Sequence, residues 1–255
     1  MLLCVDIGNT NIVLGLHDGE RWLAHWRIRT ARDSMPDEYA VLLRGLLRDG
    51  GFRTDDIEQV ILASVVPPLT GTFTELFDRY LNTAALVVGP GVRTGLRIRI
   101  DNPVELGADL VANAVAAYER FKGPCIVVDF GTATTFSAVS AEGDFLGVAI
   151  APGLGVAAEA LASRTAQLPR VGLTAPAAAI GKNTVQSMQS GLIYGYVGLV
   201  EGLVTRIQAE LGGKAQVIAT GGLGQILAPL TEHIGGFDQL LTLEGLRLIA
   251  LRNSR

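Results

Sequence analysis

An α/β protein built from two similar halves is the fold class that the sequence predicts, and three observations carry it. Short apolar runs alternate with stretches of helical periodicity, the pattern of strands and helices sharing one core. A strand-like run ending in Asp-x-Gly occurs twice, at Asp6-Ile7-Gly8 and at Asp129-Phe130-Gly131, 123 residues apart. Each copy leads into a Gly-containing hairpin at a matched distance: Gly19 follows Asp6 by 13 residues, and Gly143 follows Asp129 by 14. A repeat this long exceeds a solenoid unit of about 20–50 residues, so it predicts two domains of one kind facing one another. The expected division is 1–118 and 119–255, with the junction in the helix-like segment 104–121.

The elements follow in order. Leu2 to Val5 is a short apolar run, Ile12 to Leu16 a second, and Trp22 to Ile28 a third with partial alternation. Asp18-Gly19 between the second and third is a hairpin signal. Pro36 with Asp37 and Glu38 marks a helix start, and Tyr39, Leu42, Leu43, Leu46 and Leu47 recur at helical spacing. A strand is expected over Val60 to Val66, a helix over about 72–81, and a strand over Leu86 to Val88. The second half repeats the opening: Cys125 to Val128, Phe136 to Val139, the turn 141–144, then Phe145 to Ala151. Helical pattern dominates 183–211, and a strand, Gln216 to Ala219, ends in Thr220-Gly221-Gly222-Leu223-Gly224.

Composition narrows the function classes. With 49% hydrophobic and 18% charged residues the chain buries enough surface to offset its ordering entropy, which excludes disorder. Its 2 cysteines cannot make a disulfide framework, so a reducing cytoplasm is the expected compartment. The longest uncharged run, Asn183 to Val200, carries Asn183, Gln186, Ser187, Gln189 and Ser190, so no membrane span is expected, and the N-terminus lacks the basic region of a signal peptide. A net charge of −4 gives no reason to expect nucleic acid or an anionic membrane as a partner. Glycine is the unusual component, 31 of 255 residues against a usual ~7%.

Some of those glycines stand at strand ends beside small polar residues, in Asp6 to Thr10, Asp129 to Thr135 and Thr220 to Gly224, while others, such as Gly19, Gly143 and those from Gly147 to Gly155, read as turns and packing. Small residues let backbone N–H groups reach phosphate oxygens, Thr and Asn side chains add donors, and a carboxylate at a strand tip can hold a neutralising cation. A single Asp-x-Gly has the alternative role of closing a tight turn. The duplicated pair favours a nucleoside triphosphate held between two domains. Competing motifs fall away. No Gly-x4-Gly-Lys-[Ser/Thr] exists, since Gly181-Lys182 is followed by Asn183. Gly153-Leu154-Gly155-Val156-Ala157-Ala158 fits a dinucleotide fingerprint, but 160–200 contains no Asp or Glu to bind a ribose, so it reads as a helix start or packing. His17, His25 and His233 have no ligand spacing, and neither His-Glu-x-x-His nor Gly-x-Ser-x-Gly is present.

A kinase also needs a group to receive the acceptor hydroxyl's proton. Asp109, in Asn102-Pro103-Val104-Glu105-Leu106-Gly107-Ala108-Asp109, lies one turn into a helix that Pro103 can start. Its neighbours Leu106, Ala108, Leu110 and Val111 are apolar, so a carboxylate there is costly unless used or paired. Stabilising the domain junction is its alternative role.

Taken together, these motifs resemble those of the type III pantothenate kinases of the acetate and sugar kinase, Hsp70 and actin superfamily. Asp6-Ile7-Gly8-Asn9-Thr10-Asn11 resembles the family's first phosphate motif, Asp129 to Thr135 its second, and Asn102-Pro103 through Gly107-Ala108-Asp109 its substrate motif. Thr165-Ala166-Gln167-Leu168-Pro169 after Pro152-Gly153, Gly181-Lys182-Asn183-Thr184 with Ser190-Gly191, and Thr220-Gly221-Gly222 complete the series over nearly the whole chain. The resemblance implies two duplicated ribonuclease H-like domains with an actin-like ATPase fold and a nucleotide cleft between them. It implies phosphorylation of pantothenate by ATP, the first step of coenzyme A synthesis. Residue by residue, it places Asp6, Ile7, Gly8, Asn9, Thr10, Asn11, Ile12, Val13 and Thr132 against ATP, and Gly107, Ala108, Asp109, Leu110 and Thr184 against pantothenate. Asp109 is then the general base, Asp129 the ligand of a monovalent cation (K⁺ or NH₄⁺), and Asp6 a contact to Mg²⁺ through the phosphates. A cytoplasmic homodimer is implied as well.

Two residues depart from the family pattern. Leu110 stands where an Arg usually follows the Asp, and Ile100 where a Tyr usually precedes the Asn-Pro. Losing the Arg removes a charge-assisted contact to the pantothenate carboxylate worth about 1.5–3 kcal/mol. Arg97, Arg99, Arg164 and Lys182 are the candidate replacements. The departures leave open a kinase of the same superfamily acting on another small hydroxylated acid or sugar. A catalytically silent regulatory homologue is the non-enzymatic alternative, against which intact Asp6, Asp109 and Asp129 argue.

Overall fold

A computed structural model of the chain describes residues 1–254. Its contacts divide into two units, one of residues 1–95, 101–116 and 241 onward, the other of 96–100 and 117–240.

In the first unit, β1 (Leu2–Ile7), β2 (Asn11–His17) and β3 (Trp22–Arg29) form an antiparallel meander. Asp18 shapes its second turn, accepting N–H bonds from Glu20 and Arg21 at 2.8 Å each, with Gly19 at φ +108°. Helix α1 (Pro36–Asp49) starts where Glu38 reaches back to the Met35 N–H at 2.7 Å, a reciprocal cap. It returns the chain to β4 (Gln59–Ser64), parallel to β1. The expected strand to Val66 stops at Ser64 and the expected helix at 72 begins earlier, as α2 (Pro67–Leu81), because Pro67 and Pro68 suit a first helical turn. β5 (Ala85–Val87) completes a sheet of order β3-β2-β1-β4-β5. Directly opposed residues share a face. Leu3 with Leu16, Val5 with Leu14 and Ile7 with Ile12 therefore look one way, into a core closed by Tyr39, Phe73 and Phe77 of α1 and α2. Each such side chain contributes about 1.5–3 kcal/mol on burial.

The second unit repeats this plan. β7 (Cys125–Phe130), β8 (Ala133–Val139) and β9 (Asp144–Pro152) form the meander, and β10 (Gln216–Thr220) lies parallel to β7. With β11 (Gly236–Phe237) and β6 (Arg97–Ile98) the order is β11-β10-β7-β8-β9-β6. Without β6, that is the first sheet's order, strand for strand. β6 joins because Arg97 and Arg99 both reach Asp144, at 2.5 and 3.5 Å. The core lies between this sheet and α5 (Thr184–Glu210), with Phe130, Phe136, Ile193 and Val200 at its centre. The glycine-rich fingerprint at 153 is indeed a helix start, Gly153 preceding α4 (Leu154–Ser163). Residues 164–183 have no regular structure. Side chains of α5 hold them: Gln189 donates to the Gly172 carbonyl, Ser190 to that of Ala179 and Tyr194 to that of Pro176.

Helix α3 (Ala108–Phe121) contains the change of unit, between Ala116 and Ala117. A short helix α6 (Gly224–Leu227) leads toward the C-terminal helix α7 (Leu241–Asn253). A single cut at 118/119 would put α7 in the second half, but its contacts lie in the first unit. Leu243 packs where Gly15 leaves room on β2, and Gly245 sits so close to α3 that a Cβ there would be 1.8 Å from the Ala112 carbonyl oxygen. Arg247 of α7 is tied to Glu244 by bonds of 3.0 and 2.6 Å. His17, buried at the end of β2, accepts the Gly19 N–H on Nδ1 at 2.9 Å and meets Trp22 edge-on. Burial first, then the Arg247 charge, holds its pKa below the usual value. Cys4 in β1 and Cys125 in β7 are fully buried, and burial pushes the Cys125 thiol up to about 12 and the Cys4 thiol further still. No described helix is long and apolar enough to cross a membrane.

Candidate active site

In the first unit, parallel pairing brings the carboxyl ends of β1 and β4 together. Ile7 opposes Ser64, and the Val65 N–H donates to the Ile7 carbonyl at 3.0 Å. Ligands of α/β sheets gather at such ends. The turn after Asp6 is closed by Gly8 N–H to the Asn11 carbonyl (3.0 Å) and clamped from β3 by Thr30, which donates its hydroxyl to the Gly8 carbonyl (2.7 Å) and its N–H to that of Thr10 (3.0 Å). Asn9 and Thr10 stand exposed at the tip. The Arg32 guanidinium donates to Asn9 Oδ1 at 2.7 Å. A guanidinium only donates, so it meets the amide oxygen and leaves the Asn9 NH₂ as a donor toward a ligand oxygen. Ile7 and Ile12 lie wholly in the core, so only their backbone is available to a ligand, whereas Val13 is half-buried on the face of Asp6.

Asp109 enters at this sheet end from the first turn of α3. Gly107 makes room for it: a Cβ there would lie 2.5 Å from Asp109 Oδ1 and 3.4 Å from Val65 Cγ1. The Leu110 N–H donates to the same oxygen at 2.8 Å. Burial pushes the carboxyl above its usual range, while the Leu110 and Asp109 N–H groups pull the other way. The result is a partly buried carboxylate whose proton affinity is raised, as a general base requires.

In the second unit, β7 and β10 end together, with Asp129 opposite Thr220. Gly221, at φ +91°, passes so close to Asp129 that a Cβ would be 2.5 Å from Oδ1. Gly131 N–H donates to the Ala133 carbonyl (3.1 Å) and Gly153 N–H to that of Thr132 (3.0 Å), where a Gly153 Cβ would collide at 2.3 Å. Three glycines thus let three strand ends converge around Asp129 and the exposed Thr132. Thr135 lies directly across from Asp129, and its Oγ1 is buried with no hydrogen-bond partner. A carboxylate beside an orphaned hydroxyl is a hard oxygen set that fits a monovalent cation. No group of three His, Cys, Asp or Glu among the described residues forms a metal cage.

Thr184 belongs to neither cluster. It opens α5, behind Asn183, whose Oδ1 accepts the Gln186 N–H at 2.9 Å, and it lines a groove of ≈ 530 Å³ with Leu161, Leu168, Met188 and Leu192. Of the four cations named as replacements for the missing Arg, Arg97 and Arg99 are both engaged by Asp144, which leaves Arg164 and Lys182. The sequence reading missed Thr30 and Arg32, since only the β2–β3 register brings them to the turn.

The sequence model of the type III pantothenate kinase family matches residues 2–206. A type III pantothenate kinase from Moorella thermoacetica is 53% identical over 254 residues, 100% of both chains. Among solved structures, a protein assigned as a Baf family transcriptional activator from Campylobacter jejuni aligns with TM-score 0.62 at 21% identity over 98% of each chain. One assigned as a 2-dehydro-3-deoxygalactonokinase from Sinorhizobium meliloti aligns with TM-score 0.62 at 12% identity, over 99% of this chain and 97% of that one. These likenesses show the fold, that of the actin-like ATPases and sugar kinases.

Proposed function

The chain belongs to the type III pantothenate kinase family, and from that premise we propose that it transfers the γ-phosphoryl group of ATP to the terminal hydroxyl of pantothenate, opening coenzyme A synthesis. The observation that carries the reading is Asp109, a carboxylate of raised proton affinity set by Gly107 against the sheet end that bears the Asp6 turn. In the proposed reaction Asp109 accepts the hydroxyl proton as the hydroxyl oxygen bonds to the γ-phosphorus and the bond to the β-bridging oxygen breaks, giving ADP and 4′-phosphopantothenate. Backbone N–H groups from Gly8 to Asn11 and the Asn9 amide stabilise charge on the phosphoryl oxygens, and Thr132 contributes a hydroxyl from the second unit. Mg²⁺ supplies charge neutralisation on the phosphates when bound. Asp129 with Thr135 holds K⁺ or NH₄⁺. Gly107 to Leu110 and Thr184 contact pantothenate, with Arg164 or Lys182 in place of the Arg that Leu110 replaces. The active form is a cytoplasmic homodimer.

The assay is direct. Purified protein with pantothenate, ATP, Mg²⁺ and K⁺ yields ADP and 4′-phosphopantothenate; turnover no greater than that of Asp109→Asn sinks the proposal. Omitting K⁺, or changing Asp129 to Asn, lowers the rate. Leu110 and Ile100 favour one second reading, a kinase of another small hydroxylated acid. Thermal stabilisation by ATP with such an acid, and none with pantothenate, selects it.

A further inference from the structure

Cross-strand register extends the Asp6 face of the first unit two strands outward. Asp6 of β1 opposes Val13 of β2, which opposes Arg27 of β3; one step along, Asn11 opposes Arg29. Opposed residues share a face. The side chains of Asp6, Asn11, Val13, Arg27 and Arg29 therefore stand on the same side of the sheet, at the end where the Gly8 turn lies. The inward residues of β3 confirm the alternation: Trp26 and Ile28 pack into the core, and Arg27 and Arg29 are exposed. The C-terminal helix covers this face at Gly15, further along β2.

Neither guanidinium has a hydrogen-bonding or ionic partner among the described residues. Many other arginines of the chain are engaged: Arg32 on Asn9, Arg79 on Glu75, Arg97 and Arg99 on Asp144, Arg120 on Asp238, Arg247 on Glu244. The two residues stand about 6.8 Å apart along one strand, so their like charges repel and an anion between them would relieve that repulsion. About two strand spacings of 4.8 Å separate them from the row of Asp6. A chain of phosphates suits that span better than a lone carboxylate, because each fork can take a phosphate bidentately.

Resting on the kinase reading above, we propose that Arg27 and Arg29 bind the β- and γ-phosphates of ATP, as a cationic rail that continues the Asp6–Asn11 turn across the sheet. Both residues are exposed, so Gln at either position keeps the strand and its core face.

The test is calorimetric binding of Mg-ATP and of AMP to the purified full chain, beside steady-state kinetics. Arg27→Gln and Arg29→Gln should each weaken ATP about 10-fold or more, the double variant further, with AMP unchanged and the salt dependence of ATP binding reduced. Arg27→Lys should recover part of the loss. Arg48→Gln, an exposed arginine on α1, should bind ATP as the unaltered protein does. Undiminished ATP affinity in the double variant overturns the inference, and so does a rise confined to KM for pantothenate, which would assign the pair to the substrate carboxylate. Increased self-association with ATP binding intact also overturns it, as the mark of charges that merely guard an edge strand. Wild-type protein that binds ATP through these arginines but does not phosphorylate pantothenate leaves the inference standing and removes the kinase reading.

Discussion

Asp109 is asked to be both stable and reactive, and the two demands conflict. Burial lifts its pKa above the ordinary 3.8, so the fold favours the protonated carboxyl. The stability this group contributes is fully present below pH about 3.8 and lost as pH rises through the raised folded value. At neutral pH an ionised Asp109 therefore destabilises the protein. Asp109→Asn keeps an acceptor for the Leu110 N–H and removes the charge. It should raise the thermal midpoint at pH 7 while lowering kcat by about 10²–10⁴ and leaving ATP affinity unchanged. Unfolding scans with and without ATP, beside initial rates, decide it; a lower midpoint would contradict the account of burial.

At the scale of elements, the crossing of α7 on α3 depends on one missing side chain. The backbone of Ala112 occupies the space where a Gly245 Cβ would stand, and backbone cannot rotate away as a side-chain tip can. Gly245→Ala should cost about 1–3 kcal/mol or more through displacement of α7, read as a lower urea midpoint, whereas Ala at half-buried Gly45 of α1, with open space around its Cβ position, should not destabilise. This crossing also marks the limit of what the sequence disclosed. The repeated meander was legible because Asp-x-Gly and its hairpin are local, and so were α1 and α5; the helix expected to start at Pro103 instead breaks at Leu106 and restarts at Ala108, so Asp109 stands at the start of α3 rather than one turn in. The allegiance of α7, the place of β6 beside β9, and the reach of Thr30 and Arg32 to the Asp6 turn were not legible. They arise from pairings between distant segments, which periodicity does not encode. Residues 164–183 escaped for a different reason: backbone acceptors held by Gln189, Ser190 and Tyr194 leave no pattern in the side chains of the loop.

For the molecule as a whole, stability carries two opposed pH dependences: on mild acidification Asp109 adds to it and His17 takes from it. His17 is held below its usual 6.5 by burial and by Arg247, and its Nδ1 already accepts a hydrogen bond. Above pH about 6.5 it is neutral in both states and its contribution is complete; as pH falls, the unfolded chain takes the proton first and the advantage is lost through the folded value. Denaturant titrations of Asp109→Asn between pH 7.5 and 5, in which the Asp109 contribution is gone, should show the His17 slope, and adding His17→Gln should flatten it. An unchanged slope in the variant would exclude His17 as its source.

The two thiols open a further use. Each compact unit carries one cysteine, Cys4 on β1 and Cys125 on β7, both sealed from solvent and both held protonated by burial. A thiol reagent reacts with the thiolate, so neither should be alkylated until its own strand opens. Pulse alkylation followed by peptide mass measurement then times the opening of the two halves separately in one sample, with no engineered label. Should nucleotide slow the modification of Cys4 and Cys125 to different degrees, the ratio would report which half of the duplication the ligand holds more firmly.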